Sequence, residues 1–266
     1  HVDGKQLPKE HVVDTLRPLF EDSAILKSGH NLNYDLSVLA KFNIVVQGLH
    51  CDTMLGAHLL GKKGIGLKNL ASDILRIEMT HISELIGTGK QKTTMAAVPI
   101  CKVLNYACAD ADFTGRLARI FVDEIKDRDL WESFSTVEMP LIGILVSMQL
   151  SGITLDKDIL QTMDKDLSEK IGNLETEIYL GVGHTFKINS PQQLSTVLFQ
   201  ELGLQKTKRT KTGYSTDANS LEFLRGHHPI IESILEYRQL AKLKSTYVDA
   251  LPALVHETTG RIHTRY

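Results

Sequence analysis

The sequence predicts an α/β domain followed by a mainly α-helical one, and two observations carry that reading. Up to about residue 127, short apolar runs alternate with helical patterns, as in a layered α/β unit. Around residues 128–131 the alternation stops, and the apolar residues that follow recur mostly at helical spacing. We therefore divide the chain into residues 1–128 and residues 129–266. A chain of 266 residues is long enough for two such domains.

Each element follows from its local pattern. Val12, Val13, Leu16, Leu19 and Phe20 mark a short helix over residues 10–20. Residues 24–27 read as a buried strand ending at Gly29, residues 35–41 as a helix, and residues 44–46 as a second strand. Asp52 is placed to cap a helix over residues 52–60, and another helix spans residues 67–75. The run Gly87-Thr-Gly-Lys-Gln-Lys-Thr93 is not a phosphate-binding P-loop, because Glu84 and Gln91 stand where that motif needs Gly and Ser or Thr. It reads as a basic loop. A long helix follows, from Ile100 to about Asp127.

In the second half an apolar helix runs over residues 139–150 and ends at Ser151-Gly152, and residues 153–155 form a short strand. Asp156 caps a helix with a narrow stripe of Ile159, Met163, Leu167, Ile171, Leu174 and Ile178, which requires a partner helix. The helix opened by Pro229 supplies one, with Ile230, Ile231, Ile234 and Leu235 on its apolar face. Between them lies a small tip. It holds a capping box Ser190-Pro-Gln-Gln193, a helix end at Gly203, the basic run Lys206-Thr-Lys-Arg-Thr-Lys211, and a helix capped by Ser215-Thr216.

Composition narrows the function classes. A net charge of −2 argues against a wholly basic nucleic-acid binder, so any electrostatic footprint is local. Cys51, Cys101 and Cys108 lack zinc-type spacing and suit reduced thiols in a cytosolic protein. We find no signal-peptide pattern and expect no apolar run long enough to span a bilayer. The chain begins at His1 rather than Met and stops within the strand-like residues 261–266, which we read as a segment of a longer protein.

Two constellations carry chemistry. The first pairs Asn31-Leu-Asn-Tyr-Asp35 with Tyr106-Ala-Cys-Ala-Asp110, where Tyr106 and Asp110 share one helix face. Carboxylates converging from separate elements are what a magnesium site needs, and a tyrosine hydroxyl beside them can orient an attacking water. Taken singly, an Asp at a helix start is more often a cap, and a Tyr on a helix more often core. The second constellation is cationic. Lys206, Lys208, Arg209 and Lys211 sit in the tip, and Arg238 and Lys242 lie four residues apart on one helix face, with Lys244 nearby.

The wording of residues 234–252, Ile-Leu-Glu-Tyr-Arg-Gln-Leu-Ala-Lys-Leu-Lys-Ser-Thr-Tyr-Val-Asp-Ala-Leu-Pro, closely resembles the helix leading out of the thumb of family A DNA polymerases. The first constellation resembles the second and third motifs of DnaQ-like 3′–5′ exonucleases. The resemblance covers roughly Leu16 to Tyr266. It implies an RNase H-like 3′–5′ exonuclease domain that lacks its first motif, followed by a polymerase thumb that stops before palm and fingers.

By the same resemblance, Asp35, Tyr106 and Asp110 are catalytic, Asp35 and Asp110 bind metal, and Asn31 binds the exonuclease substrate. Asn189, Ser190, Lys206, Lys208, Arg209, Lys211, Ser215, Thr216, Arg238 and Lys242 contact duplex DNA. The implied cofactor is Mg²⁺ or Mn²⁺ in a two-metal site. The implied partners are primer–template DNA and single-stranded 3′ ends, with deoxynucleotides bound only by the complete enzyme. The implied setting is a monomer, off the membrane, in the bacterial cytoplasm with the nucleoid.

One departure is plain. The family carries Asp-x-Glu on its opening strand, and no such pair precedes Asn31; Asp3, Glu10 and Asp14 stand in no such arrangement. The metal shell is therefore incomplete in this chain. Two other readings compete: a stand-alone RNase D-like exonuclease, which does not call for residues 234–252, and a non-catalytic DNA-binding module with relic carboxylates.

Overall fold

Residues 6–211 and 213–266 are described by the computed structural model; Asp3 lies outside them. Their packing forms two units, one running up to Ser151 and including Arg265–Tyr266, the other Gly152–Thr264. The break falls later than the change in sequence pattern at 128/129. The reason is an apolar helix whose Met139, Ile142 and Val146 are buried in the first unit's core.

In the first unit, α1 (Lys9–Glu21) is tied by the Arg17 guanidinium to the carbonyls of Phe42 and Asn43, at 3.0 and 2.6 Å. Strand β1 (Lys27–Gly29) leads through α2 (Leu32–Ala40) to β2 (Leu49–Asp52), which pairs with it in parallel. Both strands lie further along the chain than expected. Ile25 and Leu26 are exposed, and of residues 44–46 only Ile44 is buried, outside any strand. Pairing begins instead at Gly48 (φ +68°), whose carbonyl accepts from Lys27 N at 2.8 Å. A Cβ on Gly48 would stand 2.5 Å from the Ile25 carbonyl oxygen, so the close approach needs glycine.

Next come α3 (Thr53–Leu59), α4 (Leu67–Leu70) with a π turn to Leu75, and α5 (Ile82–Ile86). Helix α6 (Ile100–Asp127) spans 28 residues and buries Thr114, Leu117, Ala118, Phe121 and Ile125, one stripe at helical spacing. Short α7 (Trp131–Ser133) continues through a π segment into α8 (Met139–Ser151). Contrary to expectation, one helix among the described residues, Trp131–Ser151, is 21 residues long with mean hydropathy 1.3, enough to cross a membrane by length and composition. Its buried side nevertheless belongs to the first core, through Phe134, Met139, Ile142 and Val146.

The second unit opens with β3 (Ile153–Thr154) and α9 (Lys157–Val182), whose first N–H groups bond the Asp156 carboxylate at 3.0 and 3.1 Å. After α10 (Pro191–Thr196) the basic run leads into a hairpin of β4 (Arg209–Thr210) and β5 (Gly213–Tyr214). Then come α11 (Ala218–Phe223), α12 (Pro229–Leu243) and β6 (Arg261–Ile262), the last antiparallel to β3.

Two cap assignments change. Ser190 accepts from Gln193 N, but the Gln193 side chain turns to Lys187 N at 2.7 Å, so the box is only half closed. Asp217, not Ser215 or Thr216, caps α11, accepting from Ser220 N at 2.8 Å.

Helices α9 and α12 pack antiparallel, as their matched stripes predict. Ser233 donates to Glu177 at 2.9 Å and Tyr237 to Glu175 at 3.0 Å, and just past the end of α12 Lys244 donates to Asp164, so partner numbers fall on α9 as they rise along and beyond α12. The tip closes the end where Ile178 and Ile231 meet, with Ile188, Leu194, Leu198 and Leu221 in the same core. The stripe enters the core only from Leu167 onward, with Leu167 and Ile178 buried and Ile171 and Leu174 partly so, whereas Ile159 is 57% exposed. Truncating Ile178 or Ile231 to Ala should therefore cost about 2–5 kcal/mol in urea denaturation. Ile159→Ala should cost under about 0.5 kcal/mol, and an equal loss there would place the whole stripe in the core.

Candidate active site and nucleic-acid interface

The first site grows out of a helix face. Tyr106 and Asp110 continue the α6 stripe that from Thr114 onward packs the core, so the same face leaves the interior and enters a cleft. That cleft, about 790 Å³, is lined by Asp35, Tyr106 and Asp110 together with His30, Lys68 and His81. Asp35 enters from the first turn of α2. The three residues expected to be catalytic are thus brought together from two elements. Asn31 precedes them in the left-handed conformation (φ 63°), at the N-cap of α2.

What fixes α2 is Asp52, which is 2% exposed. Its carboxylate accepts from the N–H groups of Asn31 (3.1 Å) and Leu32 (2.7 Å) at the start of α2. It also accepts from Met54 (2.8 Å) and Leu55 (3.3 Å) at the start of α3. The expected cap of one helix is therefore the cap of two, which spacing along the chain gave no means of seeing.

The electrostatics follow from burial. Desolvation, with the Asp52 charge added, raises the Asp35 pKa above its ordinary 3.8. Desolvation also raises that of Asp110, against the pull of the Lys68 ammonium and a hydrogen bond from Tyr106. The Tyr106 phenol is raised by burial and by Asp110. Burial lowers His30, whose Nδ1 lies 2.8 Å from Thr53 Oγ1. Since Thr53 Oγ1 donates to the Gly29 carbonyl at 3.1 Å, it accepts from Nδ1–H, which leaves Nε2 as the ring's acceptor. Buried Cys51 is pushed up to about 12 by desolvation and Asp52, and is an inert thiol.

Asp35 and Asp110 are hard oxygen donors of the kind magnesium or manganese takes. Among the described residues, no group of three or more His, Cys, Asp or Glu side chains is placed to hold an ion. The donor set suits the metal in kind and falls short of a two-ion centre in number.

The expected DNA contacts divide sharply. Lys206, Lys208, Arg209 and Lys211 are exposed on or beside the β4–β5 hairpin, and Lys206 Nζ lies 5.5 Å from the Tyr214 ring centroid. Lys242 is exposed on α12, and Asn189 is exposed while donating to the Tyr237 hydroxyl at 3.4 Å. Ser190 is spent on its cap. Ser215 and Thr216, however, are buried: Ser215 Oγ accepts from Asp217 N, and the Thr216 carbonyl accepts from Arg238. Arg238 is half-buried, its pKa lowered by desolvation, and it braces α12 against the tip rather than standing free.

Comparison with known proteins places these units in order. A family described as "3'-5' exonuclease" matches residues 1–126, and one described as "DNA polymerase family A" matches residues 157–266. The chain thus joins an exonuclease domain to a polymerase region. It belongs to DNA polymerase family A. DNA polymerase I of Chloroflexus aurantiacus is 42% identical over the whole chain, which covers 29% of that protein. That of Synechocystis is 39% identical, again over the whole chain and 27% of its own length. The chain accordingly spans less than a third of these curated relatives. Among solved structures, the POL domain of Pol1 from M. smegmatis, in complex with DNA primer-template and dNTP, superposes with a TM-score of 0.73 at 30% identity. That match covers 98% of this chain and 42% of the other. A stand-alone RNase D-like exonuclease does not account for residues 157–266.

Raised carboxylates make a prediction whose sign can be worked out. Folding favours the protonated forms of Asp35 and Asp110, so their contribution is favourable below the ordinary value of 3.8 and is lost as pH rises through the folded-state values. Asp35→Asn and Asp110→Asn should thus raise the Tm at pH 7, with the gain vanishing towards pH 3, in thermal melts across pH. Asp52→Ala should do the reverse, removing two caps at a cost of roughly 1–4 kcal/mol.

Proposed function

We propose that this chain is the proofreading exonuclease and thumb region of a bacterial DNA polymerase I-type enzyme. Residues 1–128 would form an RNase H-like exonuclease domain and residues 129–266 the thumb region. The complete enzyme would extend a primer with deoxynucleotides and remove misincorporated ones, acting as a monomer off the membrane, in the cytoplasm with the nucleoid. The observation that carries this reading is the convergence of Asp35, Tyr106 and Asp110 on one cleft in a chain of this family. The M. smegmatis relative, held with primer-template, supports DNA as the partner.

In the complete site Asp35 and Asp110 would share Mg²⁺ or Mn²⁺ with an Asp-x-Glu pair. When bound, such ions activate a water and neutralise the leaving oxygen of a phosphodiester. The chain's own residues supply the rest. Asn31 contacts the single-stranded 3′ end. Tyr106, hydrogen-bonded to Asp110, is positioned to orient the attacking water. In the thumb region the hairpin cations and Lys242 contact duplex phosphates without reading sequence, as charge and backbone amides do. Asn189 and Ser190 would add polar contacts to the same duplex.

Two measurements test this. This chain alone should shorten labelled single-stranded oligonucleotides negligibly with Mg²⁺ or Mn²⁺, since losing part of the electrostatic stabilisation costs orders of magnitude in rate. Supplying an Asp-x-Glu strand ahead of α1 should produce 3′-end shortening, and Asp110→Ala should abolish it. Robust digestion by this chain unaided would mean the ligands are misassigned, whereas an inert extended chain would favour the relic reading. Separately, affinity for primer–template duplex should fall with salt at a log–log slope near −0.9 per phosphate contacted. Replacing Lys206, Lys208, Arg209 and Lys211 by Ala should flatten that slope, while an unchanged slope would make the hairpin an ordinary solvated surface.

A further inference from the structure

The cleft contains a cation that the resemblance to known exonuclease motifs does not assign. Lys68, on α4, is half-buried and is the one Lys or Arg among the described residues lining the cleft with Asp35, Tyr106 and Asp110. Its ammonium lies 5.3 Å from the centroid of the Tyr106 ring, a cation–π contact. Elsewhere in this unit Lys62 pairs with Glu124 at 2.9 Å, and Lys126, like Lys68, lies over an aromatic ring, that of Trp131 at 4.9 Å. Lys68 forms no ion pair among the described residues, and its ammonium lies over an aromatic face.

A phosphodiester entering between two carboxylates meets like charge on both sides, in surroundings partly stripped of water, where Coulomb repulsion is least screened. A compact ammonium on a flexible stem answers that repulsion at close range. The Tyr106 ring holds the ammonium in the cleft while leaving its N–H donors available, because a π face accepts no strong hydrogen bond. We propose that Lys68 is a phosphate-binding residue of this cleft, contacting the backbone phosphate of the terminal nucleotides of a single strand. The proposal rests on the reading of the cleft as the single-strand site.

The test is binding, read without turnover. Fluorescently labelled oligo-dT is titrated with the full chain in EDTA across a KCl series, in a background where Lys206, Lys208, Arg209 and Lys211 are Ala. This removes the hairpin's contribution. Lys68→Ala should weaken binding several-fold and lower the log–log salt slope by about 0.7, the value for one phosphate of a single strand. Lys68→Arg, which keeps the charge, should retain both. Binding that persists with the slope unchanged in Lys68→Ala would overturn the role of Lys68 and leave the cleft reading standing. No binding by the background protein would overturn the cleft as a single-strand site, and this proposal with it.

Discussion

Burying a carboxylate costs several kcal/mol of lost hydration unless its lone pairs are filled, and in Asp52 they are filled by four backbone N–H groups from two helix starts. Both helices point the positive ends of their dipoles at the same anion. The arrangement fixes where α2 begins, holds Asn31 in a left-handed conformation, and so sets Asp35 one turn further on. Burial first, and then this same charge, raises Asp35 and Cys51. One buried anion therefore both builds the entrance of the cleft and makes its neighbour harder to ionise.

Helix α6 carries the other half of the site by a related economy. Residues 106, 110, 114, 117, 121 and 125 fall on one face, so the geometry that seats Phe121 and Ile125 in a core where both are fully buried also directs Tyr106 and Asp110. Core packing is far stiffer than a loop, so a carboxylate mounted on this stripe is held by the fold itself. The consequence is a partly desolvated acid, Asp110, whose pKa burial raises despite the Lys68 ammonium. The site opposes the stability of the unit that houses it.

How far this was legible in the sequence depended on distance along the chain. Tyr106 and Asp110 lie one turn apart, so their shared face follows from helical period alone, and the meeting of α9 with α12 follows from complementary apolar stripes. The short strands were placed wrongly because apolar content marked residues 24–27 and 44–46, whereas the register is set by the close approach at Gly48. Asp52 read correctly as a cap of α3, but its second helix lies twenty residues upstream, beyond any local rule. Lys68 gave no signal because only tertiary packing brings it over Tyr106.

The cations of the second unit separate by the same logic of prior commitment. Lys244 bridges Asp164 and Asp249, and Arg238 donates to the Thr216 carbonyl. A hydrogen bond from a charged donor contributes on the order of 1.5–3 kcal/mol. To meet a phosphate, Arg238 must first surrender that contact, offsetting much of what the phosphate returns. Among the described residues, the exposed hairpin lysines and Arg209 show no such commitment to a buried carbonyl, and the bond from Ser215 N to the Lys208 carbonyl, 2.8 Å, fixes the backbone beneath them. In a chain with a net charge of −2, a nucleic-acid footprint has to be concentrated where cations are both fixed and unspent. The hairpin meets both conditions, whereas α12 meets the first mainly as the brace that holds the tip in place.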